Sequence, residues 1–330
     1  MSPLNTVPPS NPPIIDVCSL VYDDEGWRAY LDRLAHYAPQ YLSVFARSFA
    51  TYFGADHALY TARLHNAGPA EAIDILLPPD RKPFEVDAYL AERTDQGVVA
   101  EVIMGGPARL RDGETVNDRV AHIAARAADR LHPWAGITLR DGPDSAVREL
   151  RRCLDLGMTG FNIIPFLDGV DPTEERFAPV FRLADEARLP LWLHTGHHFA
   201  SAVPADISGG RQVDHLAARY PGMTVVAGHA GWPSVLDMLA VATRHENVLL
   251  EISSHRPKHI KRPGSGWEPL LYYGRGPSRR KIMFGTSTWV NPVPCATLVA
   301  EVRALDLGDD GGVAEDWLRG NAARLLGLAD

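Results

Sequence analysis

Two short stretches hold the residues best suited to chemistry: Leu-Pro-Leu-Trp-Leu-His-Thr-Gly-His-His over residues 189–198 and Val-Val-Ala-Gly-His-Ala-Gly over residues 225–231. Each is an apolar run that delivers a histidine and then breaks at glycine, the pattern of a buried parallel strand presenting a side chain at its carboxyl end. His194 and His229 are therefore candidate general acid and base, because imidazole titrates near neutrality. For either one alone the alternative is a core histidine bonded to backbone. His197, His198 and Trp232 follow the same two runs and are candidate substrate-binding groups. Cys18 closes another apolar run and is a nucleophile if an imidazole lowers its pKa, or a small buried hydrophobe if none does.

The elements that must position these residues are legible as a repeat. Apolar runs at Pro13 to Leu20, Val98 to Met104, Trp134 to Leu139, Gly160 to Ile164, Leu191 to His194, Thr224 to His229, Val248 to Ser253 and Ile282 to Gly285 make eight expected strands. Helical patterns at about Val116 to Arg130, Ser145 to Leu156, Pro172 to Arg188, Arg211 to Arg219 and Trp232 to Arg244 fill most of the intervals. The expected fold is α/β, a closed (β/α)8 TIM barrel whose active face lies at the carboxyl ends of the strands. Residues 21–96 exceed an ordinary connection and read as a mainly helical cap inserted after the first strand, with patterns at Gly26 to Tyr37, Tyr41 to Phe53, Ala55 to Ala67 and Glu85 to Asp95. Its dense aromatic residues read as cap core. The interval Ser254 to Arg280 reads as a long loop, and Ala314 to Leu328 as a final amphipathic helix on the barrel wall. Residues 1–12, rich in proline, read as a disordered leader ahead of one domain spanning 13–330.

Composition narrows the partners. A chain of 330 residues that is 45% hydrophobic can bury a large core. Net charge −8 and a pI of about 5.9 argue against nucleic acid or an anionic membrane held by bulk electrostatics. The start of the chain lacks the regions of a signal peptide, and Cys18, Cys153 and Cys295 are too few for a disulfide framework, so a cytoplasmic protein is expected.

Several segments resemble one family: Arg-Leu-His-Pro-Trp at 130–134, Gly-Met-Thr-Gly-Phe-Asn-Ile-Ile-Pro at 157–165, the two histidine stretches, Lys-Ile-Met-Phe-Gly-Thr at 281–286 and Asn-Ala-Ala-Arg-Leu-Leu-Gly-Leu at 321–328. From about Gln96 onward the chain resembles the amidohydrolase-related family that includes aminocarboxymuconate-semialdehyde, γ-resorcylate and 5-carboxyvanillate decarboxylases, with a pyrone-dicarboxylate lactonase as a hydrolytic relative. The resemblance implies a metal site built from Asp-x-His-x-His on the first strand, a histidine on the fifth and an aspartate after the eighth. It matches His194 to the fifth-strand ligand and His229 to the sixth-strand histidine that acts on substrate or water. Here, however, the first motif reads Asp16-Val17-Cys18-Ser19-Leu20, and Ser287 replaces the aspartate. A catalytic divalent ion needs about three protein ligands, so that site is not built as the family builds it.

Two repairs follow. In one, a divalent iron, manganese or zinc ion has moved to a set drawn from His194, His229, His255, Glu251 and Glu101, which suits oxygen chemistry in specialised metabolism as readily as hydrolysis; Glu101 reads equally as a carboxylate touching a helix. In the other no metal is used, and His194, His229, Cys18 and Ser287 carry the reaction. The expected activity is hydrolysis or carbon–carbon lyase (decarboxylase) chemistry on a small carboxylated or cyclic molecule; the alternatives are iron-dependent oxidation and a non-catalytic barrel. A basic loop from His255 to Lys281, Arg256 included, reads equally as a solvated face or as a site that attracts an anionic substrate. The resemblance also implies a homodimer.

Overall fold

Eight parallel strands alternate with helices around a barrel in the computed structural model, which describes residues 13–308 and 312–328; the expected leader at 1–12 lies outside them. The strands are β1 (Ile14–Ser19), β2 (Val98–Met104), β3 (Leu131–Gly136), β4 (Gly160–Ile163), β5 (Leu191–His194), β6 (Val225–Gly228), β7 (Val248–Glu251) and β8 (Ile282–Met283), hydrogen-bonded in that order. Being covered on both sides, they are nearly unbroken runs of buried apolar residues, as parallel strands in an α/β layer must be. The TIM-barrel expectation is met.

The seam between the first and last strands closes partly through a side chain. Val17 N–H donates to Phe284 O at 3.1 Å and Ser287 N–H to Cys18 O at 3.0 Å. Between them the buried Asp16 carboxylate accepts from Cys18 N (3.1 Å), Ser19 Oγ (3.0 Å), Thr286 N (2.9 Å) and Thr286 Oγ1 (2.5 Å). Arg93 adds a charged donor to the same carboxylate at 2.6 Å and lies 3.2 Å from Glu101, which also accepts from Tyr89 Oη at 2.7 Å.

Six helices occupy the interval between β1 and β2: α1 (Asp24–Tyr37), α2 (Gln40–Val44), α3 (Ala46–Phe53), α4 (His57–Asn66), α5 (Pro69–Leu76) and α6 (Val86–Asp95). Asp23 caps α1 by accepting from Gly26 N at 2.8 Å, and Asp56 caps α4 from Leu59 N at 2.9 Å. α5, with Pro69 at its first turn and Ala72, Ile73 and Leu76 buried, lies outside the helical patterns expected. Trp27 meets Tyr22, Tyr30, Tyr52 and Phe53 edge-on or tilted, while Phe49 stacks on Trp289 at 4.7 Å and so ties the cap to the segment after β8.

The remaining helices are α7 (Val116–Ala125), α8 (Pro143–Asp155), α9 (Pro165–Asp168), α10 (Ala178–Glu186), α11 (Gly210–Arg219), α12 (Val235–Arg244), α13 (Pro257–Ile260), α14 (Glu268–Tyr273), α15 (Cys295–Arg303), α16 (Gly312–Glu315) and α17 (Asn321–Leu326). Besides α9 and α15, which lie outside the helical patterns expected, and the pattern at Tyr41 to Phe53, which divides into α2 and α3, three segments differ from expectation. β3 starts at Leu131 rather than Trp134 and accommodates Pro133, whose carbonyl accepts from Thr159 N. The expected loop at 254–280 contains α13 and α14, anchored by Arg256 on Glu301 of α15. The expected terminal helix is interrupted by a π-helical turn at Asp316–Gly320, where the Trp317 carbonyl accepts from Phe284 N and docks the tail on β8. Among the described residues no helix is long and apolar enough to cross a membrane.

Candidate active site

The carboxyl ends of β1, β5, β6 and β7 and the segment after β8 open into a cavity of about 480 Å³ roofed by α1 and α2. Cys18, Leu20, Trp192, His194, His229, Ser254, His255 and Ser287 line its barrel side, and Tyr22, Tyr30, Arg33, Tyr41 and Phe45 its cap side. Phe166, Phe199, Trp232 and Trp289 complete a wall that is predominantly aromatic. Its size and lining fit a small, flat organic molecule.

His194 and His229 come together as the repeat in the sequence implies, with ring centroids 4.9 Å apart and planes at 77°. Trp192 lies against both, and it can do so because Gly228 faces it: a Cβ there would come within 2.3 Å of the indole. The indole Nε1 donates to Glu251 Oε2 at 3.3 Å, which places that carboxylate under the histidine pair. Ser253 Oγ donates to Glu251 Oε2 at 2.8 Å and lies 3.0 Å from His229 Nδ1; on the other side of the ring, Ser254 Oγ lies 3.3 Å from Nε2. A hydroxyl that donates to a carboxylate must accept from its other neighbour, so Nδ1 carries the hydrogen and Nε2 offers its lone pair towards the cavity. Ser254 Oγ in turn donates to Ser287 Oγ at 3.5 Å, which also accepts from Cys18 Sγ at 4.0 Å.

Backbone strain concentrates in the same place. His229, Ser254 and Ser287, at the ends of three successive strands, have φ of 66°, 65° and 47°. Left-handed non-glycine residues cost about 1–3 kcal/mol each and persist where the surroundings over-determine them.

Burial governs the protonation of the site. It holds His194 well below its usual value, helped by His229 and His198, and brings His229 down to about 3, with His255 second in effect. His255 falls to about 4, mainly by burial. Burial also pushes Glu251 up to about 7 against its hydrogen bonds from Ser253 and Trp192. The Cys18 thiol is raised well above its ordinary value, first by burial and then by the Glu251 charge, which removes the thiolate that nucleophilic attack requires.

Glu251 gives a testable pH signature. A carboxyl raised from an ordinary 4.5 to about 7 makes the folded chain bind its proton more tightly than the unfolded chain, so its contribution is present below about pH 4.5 and lost as pH rises through 7. Glu251→Gln does not titrate. Relative to the parent it is expected to gain about 3 kcal/mol between pH 4.5 and 7.5, read as the difference in urea midpoints at each pH. A pH-independent difference would mean that Glu251 is not perturbed.

The other expected site residues are placed as follows. His197 and Trp232 line the cavity. His198 does not; it stacks on Phe166 at 5.3 Å, and its Nε2 lies 3.1 Å from Pro204 O. Glu101 is held by Arg93 and Tyr89 of α6, away from the cavity lining. Arg256 pairs with Glu301 rather than facing the cavity, and Lys281 and Arg279 are likewise engaged, by the His245 and Glu246 carbonyls and by Asp316. The cation that does line the cavity is Arg33 of α1, 2.7 Å from the buried Asp168, which also accepts from Thr138 and Leu139 N. Arg33, Asn162, Ser253 and Ser254 were not among the sequence candidates. The Ser-Ser-His triplet after the seventh apolar run was the available signal for the last two.

A divalent metal does not fit these donors. Cys18 and Leu20 stand where the family pattern has histidines and Ser287 where it has aspartate, and both nitrogens of His229 face serine hydroxyls. Nδ1 of His194, His198 and His255 are buried without partners, yet among the described residues no three His, Cys, Asp or Glu side chains converge on a point.

Solved structures share the fold. An uncharacterized TIM-barrel protein from Bordetella bronchiseptica is 21% identical, covering 95% of this chain and 98% of that one, with a TM-score of 0.65. A 5-carboxyvanillate decarboxylase from Sphingomonas paucimobilis is 18% identical over 97% and 100% of the two chains, with a TM-score of 0.60. A 2,6-dihydroxybenzoate decarboxylase from Rhizobium is 18% identical over 80% and 94%, with a TM-score of 0.55. No curated protein sequence matches the chain. The amidohydrolase family matches residues 35–328, nearly the whole barrel and most of the cap, and the chain belongs to that family.

Proposed function

We propose that this amidohydrolase-family protein is a hydrolase that opens a small cyclic or carboxylated organic molecule by acid–base catalysis, without a metal ion. The observation that carries the reading is His229, whose Nδ1 is occupied by Ser253 above Glu251 while Nε2 faces an aromatic cavity beside His194. A neutral imidazole with a directed lone pair removes a proton from the attacking group and returns it to the leaving oxygen. His194, 4.9 Å away, borders the same reacting centre. Arg33, anchored by Asp168, turns its remaining guanidinium N–H groups to a substrate carboxylate, and the aromatic walls hold the ring.

A second reading, decarboxylation of an aromatic acid, is favoured by the fold neighbours whose names are decarboxylases; one from Novosphingobium aromaticivorans has bound manganese. The test is one panel of aryl esters, lactones and ortho-hydroxybenzoates offered to protein treated with EDTA, with acid release and carbon dioxide read separately. Acid release that survives chelation is expected. Carbon dioxide alone would move the assignment to the second reading, and turnover that returns only on adding manganese or zinc would overturn metal-free catalysis.

A further inference from the structure

We infer that Ser254 is the nucleophile of this site and that the reaction passes through an acyl-enzyme, which makes the substrate class an activated ester, a lactone or a thioester. The inference rests on the hydrolytic reading above and goes beyond it by naming the attacking atom. Four groups stand in sequence: Ser254 Oγ 3.3 Å from His229 Nε2, His229 Nδ1 3.0 Å from Ser253 Oγ, and Ser253 Oγ 2.8 Å from Glu251 Oε2. This is the arrangement of nucleophile, base and orienting acid, with one hydroxyl inserted between base and acid; such constellations are recognised by geometry and role rather than by chain position. Glu251 also lies 3.7 Å from His229 Nδ1, close enough to stabilise the imidazolium when it forms.

What singles out Ser254 among the cavity hydroxyls is its position 3.3 Å from His229 Nε2. Its φ of 65°, like the 47° of Ser287, puts it in the left-handed region, three residues beyond the seventh strand, in a strained turn that lifts the side chain clear of the strand end. Ser253, its neighbour, is absent from the cavity lining and is spent on Glu251. Ser287 Oγ accepts from Ser254 Oγ over a long 3.5 Å; when Ser254 turns its hydrogen to His229 Nε2 for the attack, the Ser287 hydroxyl stands beside it as a hydrogen-bond donor for the oxyanion.

The steps balance. Ser254 Oγ attacks the carbonyl carbon as its proton passes to His229 Nε2; the bond from that carbon to the leaving oxygen or sulfur breaks, and the leaving atom takes the proton from His229. Water then gives a proton to Nε2 as its oxygen attacks the acyl carbon, the bond to Ser254 breaks, and the proton returns to Oγ. No oxidant, reductant or further reactant is needed.

Intact and peptide mass spectrometry after exposure to diisopropyl fluorophosphate tests the assignment. One phosphoryl group on Ser254 is expected, absent in Ser254→Ala and formed at least 100-fold more slowly in His229→Gln. With p-nitrophenyl acetate, a stoichiometric burst of nitrophenolate is expected and should disappear in Ser254→Ala, a small change that leaves the melting temperature as the control for folding. Labelling elsewhere, no labelling, or a rate unaltered in folded His229→Gln overturns the nucleophile. Turnover of a lactone that survives in Ser254→Ala also overturns it while leaving the hydrolytic reading intact; labelled Ser254 with no ester or lactone turnover keeps the nucleophile and sinks that reading.

Discussion

Alanine at His229 is expected to lower kcat/KM by about three to four orders of magnitude while the protein stays folded, the loss typical of removing a general base that works with oriented partners. The ring packs edge-on against Trp192 and His194, so its removal opens space in the cavity wall rather than in a closed core. The pH profile is the sharper test. An ordinary histidine would give an acid limb near pH 6.5; burial first and His255 second bring His229 down to about 3, so kcat/KM should be free of a limb from this group down to about pH 4. Circular dichroism and a melting temperature within a few degrees of the parent establish that the variant is folded. Unchanged turnover would remove His229 from the chemistry.

Methionine at Arg93 is expected to destabilise the protein by about 3–5 kcal/mol, the cost of removing one partner from a buried charge set. The guanidinium is 3% exposed and lies between Asp16 and Glu101, themselves almost wholly buried. Asp16 keeps its donors from Cys18, Ser19 and Thr286, and Glu101 keeps Tyr89, but neither keeps its counter-charge. The loss is measured as the shift in urea midpoint between parent and variant at one pH. Lysine at the same position should recover part of the loss, because it restores the charge without the fork that reaches both acids.

His194 and His229 were legible because a buried strand has a simple signature, an apolar run, and its end is marked by glycine. The same signature located seven of the eight strands closely; at the third, proline hid the start, since it interrupts the apolar run at a position where the strand carries on. Ser253 and Ser254 were not legible as site residues. Small hydroxyls carry no periodic signal, and their role depends on a histidine 24 and 25 positions away and a carboxylate that the strand turns inward. Arg33 was hidden in the same way, because an arginine on an amphipathic helix reads as solvent-facing until its fold partner, Asp168, is known. Glu101 shows the converse: a carboxylate in an apolar strand reads equally as a ligand or as a group touching a helix, and its buried partners are an arginine and a tyrosine of the preceding helix.

The seam at Asp16 has a consequence for how the molecule is made. Its bonds to Thr286 join positions 270 residues apart, whereas most strands pair with one that follows within a few tens of residues. Joining so distant a pair carries a loop-closure penalty that local pairing does not, so the ring should close late in refolding, after most of the helices and neighbouring strands have formed. Cys18 and Ser287 flank that seam, and the cavity acquires its last wall only on closure. In a refolding time course, ellipticity should therefore return ahead of catalytic competence, and the interval between them times the joining of the two ends of the barrel.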